Sequence, residues 1–349
     1  MGMVPFMRTG ASSAILHAAG RPAQPPVRRW LVALLAAGLV VTTTPAAASG
    51  ACAGIAPGED RPVRDLAYAT PGAGVPADAL SLDLWPGASP LPAPLVVFVH
   101  GGTWMHGGKY AGTAGQARAF RSAGFAYATV NYRLRRYAPP DGAAQDIARA
   151  IAFLRAEASG CGVDPDRIVL MGHSAGGHLA ALVALDPGYL AGAGVPAGVV
   201  RAVVLLDAYG LDIPRHVRES GDPVYARVFG DDPGGWRALS PVTYAGPGRP
   251  PPVILHVDAH NPETPGQARV LAEALRAAGG EAVIHSAEGE SHNSLNYGFG
   301  AHGDETTRRT LDFLAAHVTQ GTGLSGRRAA ALIPATAADS AGTHEGHTR

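Results

Sequence analysis

Residues 172–176 read Gly-His-Ser-Ala-Gly, and the chemistry this spacing allows is nucleophilic attack by the Ser174 hydroxyl. Arg167 to Met171 just before it is a short β-branched run of the kind buried in a parallel sheet. Gly177 to Leu185 just after it spaces apolar residues as a helix does. A strand that turns directly into a helix here holds Ser174 at a strained, exposed corner, and the small residues two before and two after it let the backbone pack closely. The expectation is a nucleophile elbow. In a chain with 46 glycines the five residues alone carry little weight, so the reading depends on their flanks and partners.

A second glycine motif supplies one partner. His100-Gly101-Gly102-Thr103-Trp104 follows the apolar run Leu95 to Val99, and Gly107-Gly108-Lys109 comes soon after. Glycines at the carboxyl end of a strand let backbone N–H groups turn toward a developing negative charge, which is what an oxyanion hole requires. His100 is expected to brace this loop, because a base upstream of the nucleophile breaks the chain order of this type of site. Trp104 either walls a pocket or packs.

The elements that must hold these groups alternate between strand and helix. Val63 to Ala69 and Ala79 to Trp85 are expected as an antiparallel pair at one edge of a sheet. Leu95 to Val99, Phe125 to Asn131, Arg167 to Met171, Val199 to Leu206, Val253 to Val257 and Ala282 to Ser286 supply its other strands. Helices are expected over Ala143 to Glu157, Gln267 to Ala278 and Asp304 to Val318, with Asp146 in the first turn of one of them, favoured by the helix dipole and paired to an arginine. Residues 207–252 are rich in Gly and Pro with scattered aromatics and read as a cap-like insertion.

The ends of the chain read differently. Arg28-Arg29 precede an apolar run from Trp30 to Val41, then Thr-rich residues and Ala46-Ala47-Ala48, so residues 1–50 are expected to be an export signal. The run is roughly 12 residues, too short for a stable membrane span. Residues 51–61 form a linker, 62–318 the folded domain, and 319–349, without periodicity, a disordered tail. Cys52 and Cys161 are the two cysteines, and in an oxidising compartment they favour one disulfide that ties the mature N-terminus to the sheet. Lipidation of Cys52 is the rival, although Ser49-Gly50-Ala51 lacks a large aliphatic residue three positions before it.

The 28 basic and 28 acidic residues balance, which gives no support to a nucleic-acid partner. The 14 histidines do not fall in metal-ligand spacing with acids or cysteines, so neither a metal site nor another cofactor is expected.

His-Gly-Gly-x-Trp, Asn-Tyr-Arg-Leu at 131–134, Gly-His-Ser-Ala-Gly-Gly-His-Leu-Ala at 172–180 and a late Gly-x-x-His together resemble the α/β-hydrolase superfamily. Within it the chain is most similar to the carboxylesterase and acetyl-esterase branch that includes kynurenine formamidase-like enzymes. The resemblance covers roughly residues 62–318. It implies an α/β-hydrolase fold, a mostly parallel central sheet of eight strands flanked by helices, and a metal-independent serine hydrolase acting on small or carbohydrate-borne esters.

Carried over by position, the resemblance makes Ser174 the nucleophile and His292 the general base. The oxyanion donors become the amides of Gly101, Gly102, Thr103 and Ala175. The family's acid falls four residues after His256, where this chain has His260; the expected acid is therefore Asp258, with Glu263, Asp207 and Asp212 as alternatives. His173 and His260 join Trp104 as candidate pocket residues. Two other readings stay open: an aryl-formamidase or amidase using the same groups, and a catalytically silent hydrolase fold that binds a ligand, motivated by His260 standing where an acid is expected.

Overall fold

Seven-residue runs such as Ala93–Val99 and Val200–Leu206 are apolar almost throughout, and a strand of that kind is stable only when both of its faces are covered. The computed structural model of the chain describes Cys52, Glu59, residues 61–88 and residues 92–319 other than 197 and 247. The expected export signal, most of the linker and the tail beyond Thr319 lie outside the described residues. Eight strands make one sheet: β1 Val63–Ala67, β2 Ser81–Trp85, β3 Ala93–Val99, β4 Ala126–Val130, β5 Val163–His173, β6 Val200–Leu206, β7 Val253–Asp258 and β8 Ala282–Ala287. Their order is β1-β2-β4-β3-β5-β6-β7-β8, and β2 runs antiparallel to both neighbours while all other pairs are parallel. This is the α/β-hydrolase arrangement expected from the sequence, with the antiparallel pair at one edge.

The period of two along each strand sends alternate residues into two cores. Leu95, Val97 and Val99 pack with α2 (Pro140–Glu157), α3 (Ala175–Leu185) and α8 (Thr264–Ala277). Val96 and Phe98 face α1 (Thr113–Ser122) and α10 (Glu305–His317) through Phe120 and Phe313. Helix α1 was not expected. Its inward face carries Gln116 and Arg121 beside Ala117 and Phe120, so its apolar stripe is weak; Gln116 instead accepts the Tyr127 hydroxyl at 2.6 Å.

Helix α2 starts at Pro140, earlier than expected, so Asp146 lies beyond its first turn. The arginine pairing expected for Asp146 holds: its buried carboxylate accepts Arg133 Nε at 2.7 Å and Arg149 Nη1 at 2.6 Å. After α3 a short helix, α4 (Pro187–Gly192), precedes β6.

The insertion folds into α5 (Ile213–Ser220), α6 (Pro223–Phe229) and α7 (Pro233–Ala238). Each begins the same way, with an aspartate N-cap followed by proline in the first turn. Asp212 accepts the Arg215 amide, Asp222 that of Val224, and Asp232 those of Gly234 and Gly235. A four-residue helix, α9 (Ser294–Tyr297), follows the His292 loop.

Cys52 and Cys161 form a disulfide across 109 positions, with Cα atoms 5.3 Å apart, and Cys161 leads directly into β5. Among the described residues no helix is long and apolar enough to cross a membrane.

Candidate active site

Strand β5 ends at His173, and Ser174 then takes φ 56° and ψ −125°, a conformation that L-residues rarely adopt, before α3 starts at Ala175. Its neighbours show why this corner needs glycines. A Cβ on Gly172 would lie 2.2 Å from the Gly176 carbonyl oxygen, and one on Gly176 would lie 2.1 Å from that of Val99. The elbow therefore packs backbone to backbone against the end of β3. Ser174 is mostly buried, and its amide donates to Leu206 O at 2.9 Å, which ties it to the end of β6. Among the described residues its hydroxyl has no hydrogen-bond partner, so it is not held away from an incoming carbonyl.

The glycine loop after β3 lies against this corner. A Cβ on Gly101 would meet Ser174 Cβ at 3.0 Å and His173 O at 2.9 Å. Gly102 has φ 118°, and Thr103 and Trp104 follow at 52° and 60°. The turn closes when Met105 and His106 donate their amides to Gly102 O, at 3.0 and 2.9 Å. Among the described residues nothing accepts the amides of Gly102, Thr103 or Ala175, the arrangement an oxyanion cradle needs.

Two buried groups hold the loop from behind. His100 donates Nδ1–H to Gly101 O at 2.8 Å and stacks on Tyr132, as expected of a brace, and burial pulls its pKa down to about 4. Lys109, fully buried, pairs with Asp83 and with Asp65, the latter at 2.5 Å.

His292 and Asp207 complete the group. Asp207 follows β6 directly, at φ 43°, and is fully buried. Its Oδ2 accepts His292 Nδ1–H at 2.7 Å and Asn261 Nδ2 at 3.0 Å. Its Oδ1 accepts the Asp258 amide at 2.9 Å and the Thr264 hydroxyl. Four donors thus replace the water that the carboxylate gave up.

This corrects the expectation for Asp258, which contributes a backbone N–H while its carboxylate accepts the amide of His260 at 2.9 Å. Of the alternatives, Asp212 caps α5 and Glu263 lies 3.0 Å from His216 Nε2. The signal for Asp207 was its place, the first residue past the strand next to the elbow strand.

The three candidate pocket residues also move. His173 is buried, stands ring to ring with His292 at 4.5 Å, and donates Nε2–H to the His292 carbonyl at 2.8 Å, so it anchors the His292 loop. Burial, then the charge of His292, lowers its pKa to about 4. Trp104 is 3% exposed and packs edge-on to Tyr225 and Phe229. Its indole N–H donates to His178 Nδ1 at 3.0 Å, and His178 Nε2–H donates to Leu239 O at 2.7 Å. His260 is exposed on the turn after β7, outside this network. Reasoning from sequence missed His178, Asn261 and Thr264, none of which was singled out by the spacing of the glycine motifs.

The sequence model of the BD-FAE family matches residues 82–275, more than half of the chain. The chain belongs to the BD-FAE family. It is accordingly a member of the α/β-hydrolase esterase superfamily. Among curated relatives, this BD-FAE chain is similar to Esterase LipQ of Mycobacterium tuberculosis, 29% identical over 67% of this chain and 58% of LipQ. It is also similar to Esterase LipC of the same organism, 30% identical over 53% of this chain and 49% of LipC. The chain therefore spans between about half and three-fifths of the length of these two relatives.

Among solved structures, esterase 2 of Thermogutta terrifontis is 25% identical with a TM-score of 0.57, covering 74% of this BD-FAE chain and 97% of its own. It has been solved with propionate bound and phosphoramylated by tabun.

Proposed function

We propose that this protein is a serine carboxylic ester hydrolase in which Ser174 is the nucleophile, His292 the general base and Asp207 the acid that orients it. The observation that carries the reading is the 2.7 Å bond from His292 Nδ1 to the buried Asp207 carboxylate, at the rim of the strand beside the elbow. With Nδ1 protonated and held, Nε2 is left with its lone pair to take a proton from the serine hydroxyl. Ser174 Oγ then attacks the ester carbonyl, the amides of Gly102, Thr103 and Ala175 stabilise the oxyanion, and His292 returns the proton to the leaving alcohol. Water activated by the same imidazole hydrolyses the acyl-enzyme.

The family supports esters as the substrate class, and small or carbohydrate-borne esters are the proposed range. Export is part of the proposal: the Cys52–Cys161 disulfide is compatible with an oxidising compartment, and the basic-apolar-small pattern of residues 1–50 would supply the signal.

Ser174→Ala should abolish hydrolysis of p-nitrophenyl acetate and labelling by a fluorophosphonate probe while leaving the thermal transition in place. Full turnover by that variant would end the proposal. The motive for a silent binding protein weakens, since Asp207 supplies the carboxylate that the position of His260 lacks.

A further inference from the structure

Two clefts of about 540 and 590 Å³ lie beside the oxyanion turn and share Gly107, Leu134 and Arg136, so they form one groove along the outer side of that turn. One end is aromatic. Tyr110 and Tyr297, 60% and 64% exposed, stand there with Tyr137, and Tyr297 sits on α9 just after the His292 loop. Asp78 lines this end.

The other end is basic. Its lining includes Arg135, Arg136, Arg227 and His106 over the apolar Met105 and Leu134, and no carboxylate. Arg135 is fixed in place: its amide donates to Trp104 O at 2.7 Å and its Nε to Val228 O at 2.8 Å on α6. Arg136 lies over the Tyr137 ring at 4.6 Å. Among the described residues neither Arg136 nor Arg227 has a carboxylate partner, whereas nearby Arg133 is held by Asp146 at 2.7 and 2.8 Å. Three arginines around one cleft make it electropositive, and planar guanidinium forks suit a carboxylate or a phosphate.

The cleft also adjoins the glycine turn that packs against Ser174. Met105 and His106 on its rim are the residues whose amides close the turn on Gly102 O, so the basic end begins where the oxyanion cradle ends.

We propose that the basic end of this groove binds an anionic group, a carboxylate or a phosphate, carried by the ester whose carbonyl sits at Ser174, so that the enzyme selects acidic esters. The proposal rests on the hydrolase reading above and adds a substrate class to it.

The test compares 4-acetoxybenzoate and 4-acetoxyphenyl phosphate with neutral 4-acetoxybenzamide, in the native enzyme and in the Arg136→Gln/Arg227→Gln double variant. Intrinsic reactivity cancels when the acidic-to-neutral ratio of kcat/KM is compared between the two proteins. That ratio should fall roughly ten-fold in the double variant for at least one anion, which identifies the group bound, and high salt should lower it in the native enzyme. Hydrolysis of p-nitrophenyl acetate should stay within about two-fold, because neither arginine touches the reacting groups.

A ratio unchanged by the substitutions for both anions overturns the proposal. A separate readout needs no turnover: calorimetric titration with 4-hydroxybenzoate and with 4-hydroxyphenyl phosphate should show binding to the native protein that the double variant weakens. Failure of the native protein to hydrolyse p-nitrophenyl acetate would count against the hydrolase reading, and this titration would still decide the anion site. Absence of binding, or binding untouched by the substitutions, for both anions overturns it.

Discussion

The amide of Asp258 donates to the carboxylate of Asp207 at 2.9 Å, so the residue expected to serve as the acid helps to hold the one that touches the imidazole. Asp207→Asn should therefore lower kcat by about ten-thousand-fold, since a carboxamide can turn its NH₂ toward Nδ1 and favour the wrong tautomer. Asp258→Asn keeps the backbone donor and should stay within a few-fold of the parent. Steady-state kinetics on the two variants side by side checks this, and equal losses would contradict the assignment.

Gly102 and Gly176 should fail in different ways. A Cβ at Gly176 would lie 2.1 Å from Val99 O in the centre of the sheet, so Gly176→Ala should lower expression and the thermal midpoint. At Gly102 the obstacle is His106 O, 2.2 Å away on a surface turn, and φ is 118°. Gly102→Ala should keep the fold and lose about 100- to 1,000-fold in kcat, the scale of a misplaced oxyanion donor.

Stability should depend steeply on pH below neutrality. Burial holds His100, His173, His178 and His216 down at about 4 and His256 at about 3, against an ordinary value of 6.5. As pH falls through 6.5 toward 4 the unfolded chain takes up protons that the folded chain refuses, so stability present above 6.5 is lost. The slope is at most about 1.4 kcal/mol per histidine per pH unit. Urea midpoints measured from pH 7.5 to 5 should drop across that interval; a flat series would contradict the neutral, buried state of these rings.

Lys109 tests the support beneath the glycine loop. Lys109→Met takes from Asp83, 1% exposed, its buried cation and leaves only the half-exposed Arg64 at 3.1 Å, so it should cost up to about 3–5 kcal/mol in urea unfolding. Replacing Lys109 and Asp83 together by apolar residues should cost less than Lys109→Met alone.

Much of this was readable from the chain because continuous apolar strands and glycine corners leave strong local signals. The unbroken apolar run from Leu95 to Val99 announces a buried strand, whereas α1 turns Gln116 and Arg121 inward and so hides its stripe. The insertion concealed its helices for another reason. Gly and Pro marked residues 207–252 only as a cap-like insertion, yet the recurring aspartate and proline at Asp222-Pro223 and Asp232-Pro233 were helix starts. The acid was legible only as a set of alternatives, because counting from His256 follows one strand, while the choice between Asp207 and Asp258 depends on how β6 and β7 lie side by side.

The line from Trp104 through His178 to Leu239 crosses three parts of the molecule: the glycine turn after β3, helix α3 behind Ser174 and the short helices above them. Those helices are consequently a rivet and not a hinged cover, for lifting them would strip the imidazole of its acceptor and the indole of the Tyr225 and Phe229 rings packed against it. An exchange of the whole segment with that of a relative must bring its own acceptor to the position of the Leu239 carbonyl, or the turn will lose its shape. Redesign of substrate range is better confined to individual side chains on α5, α6 and α7.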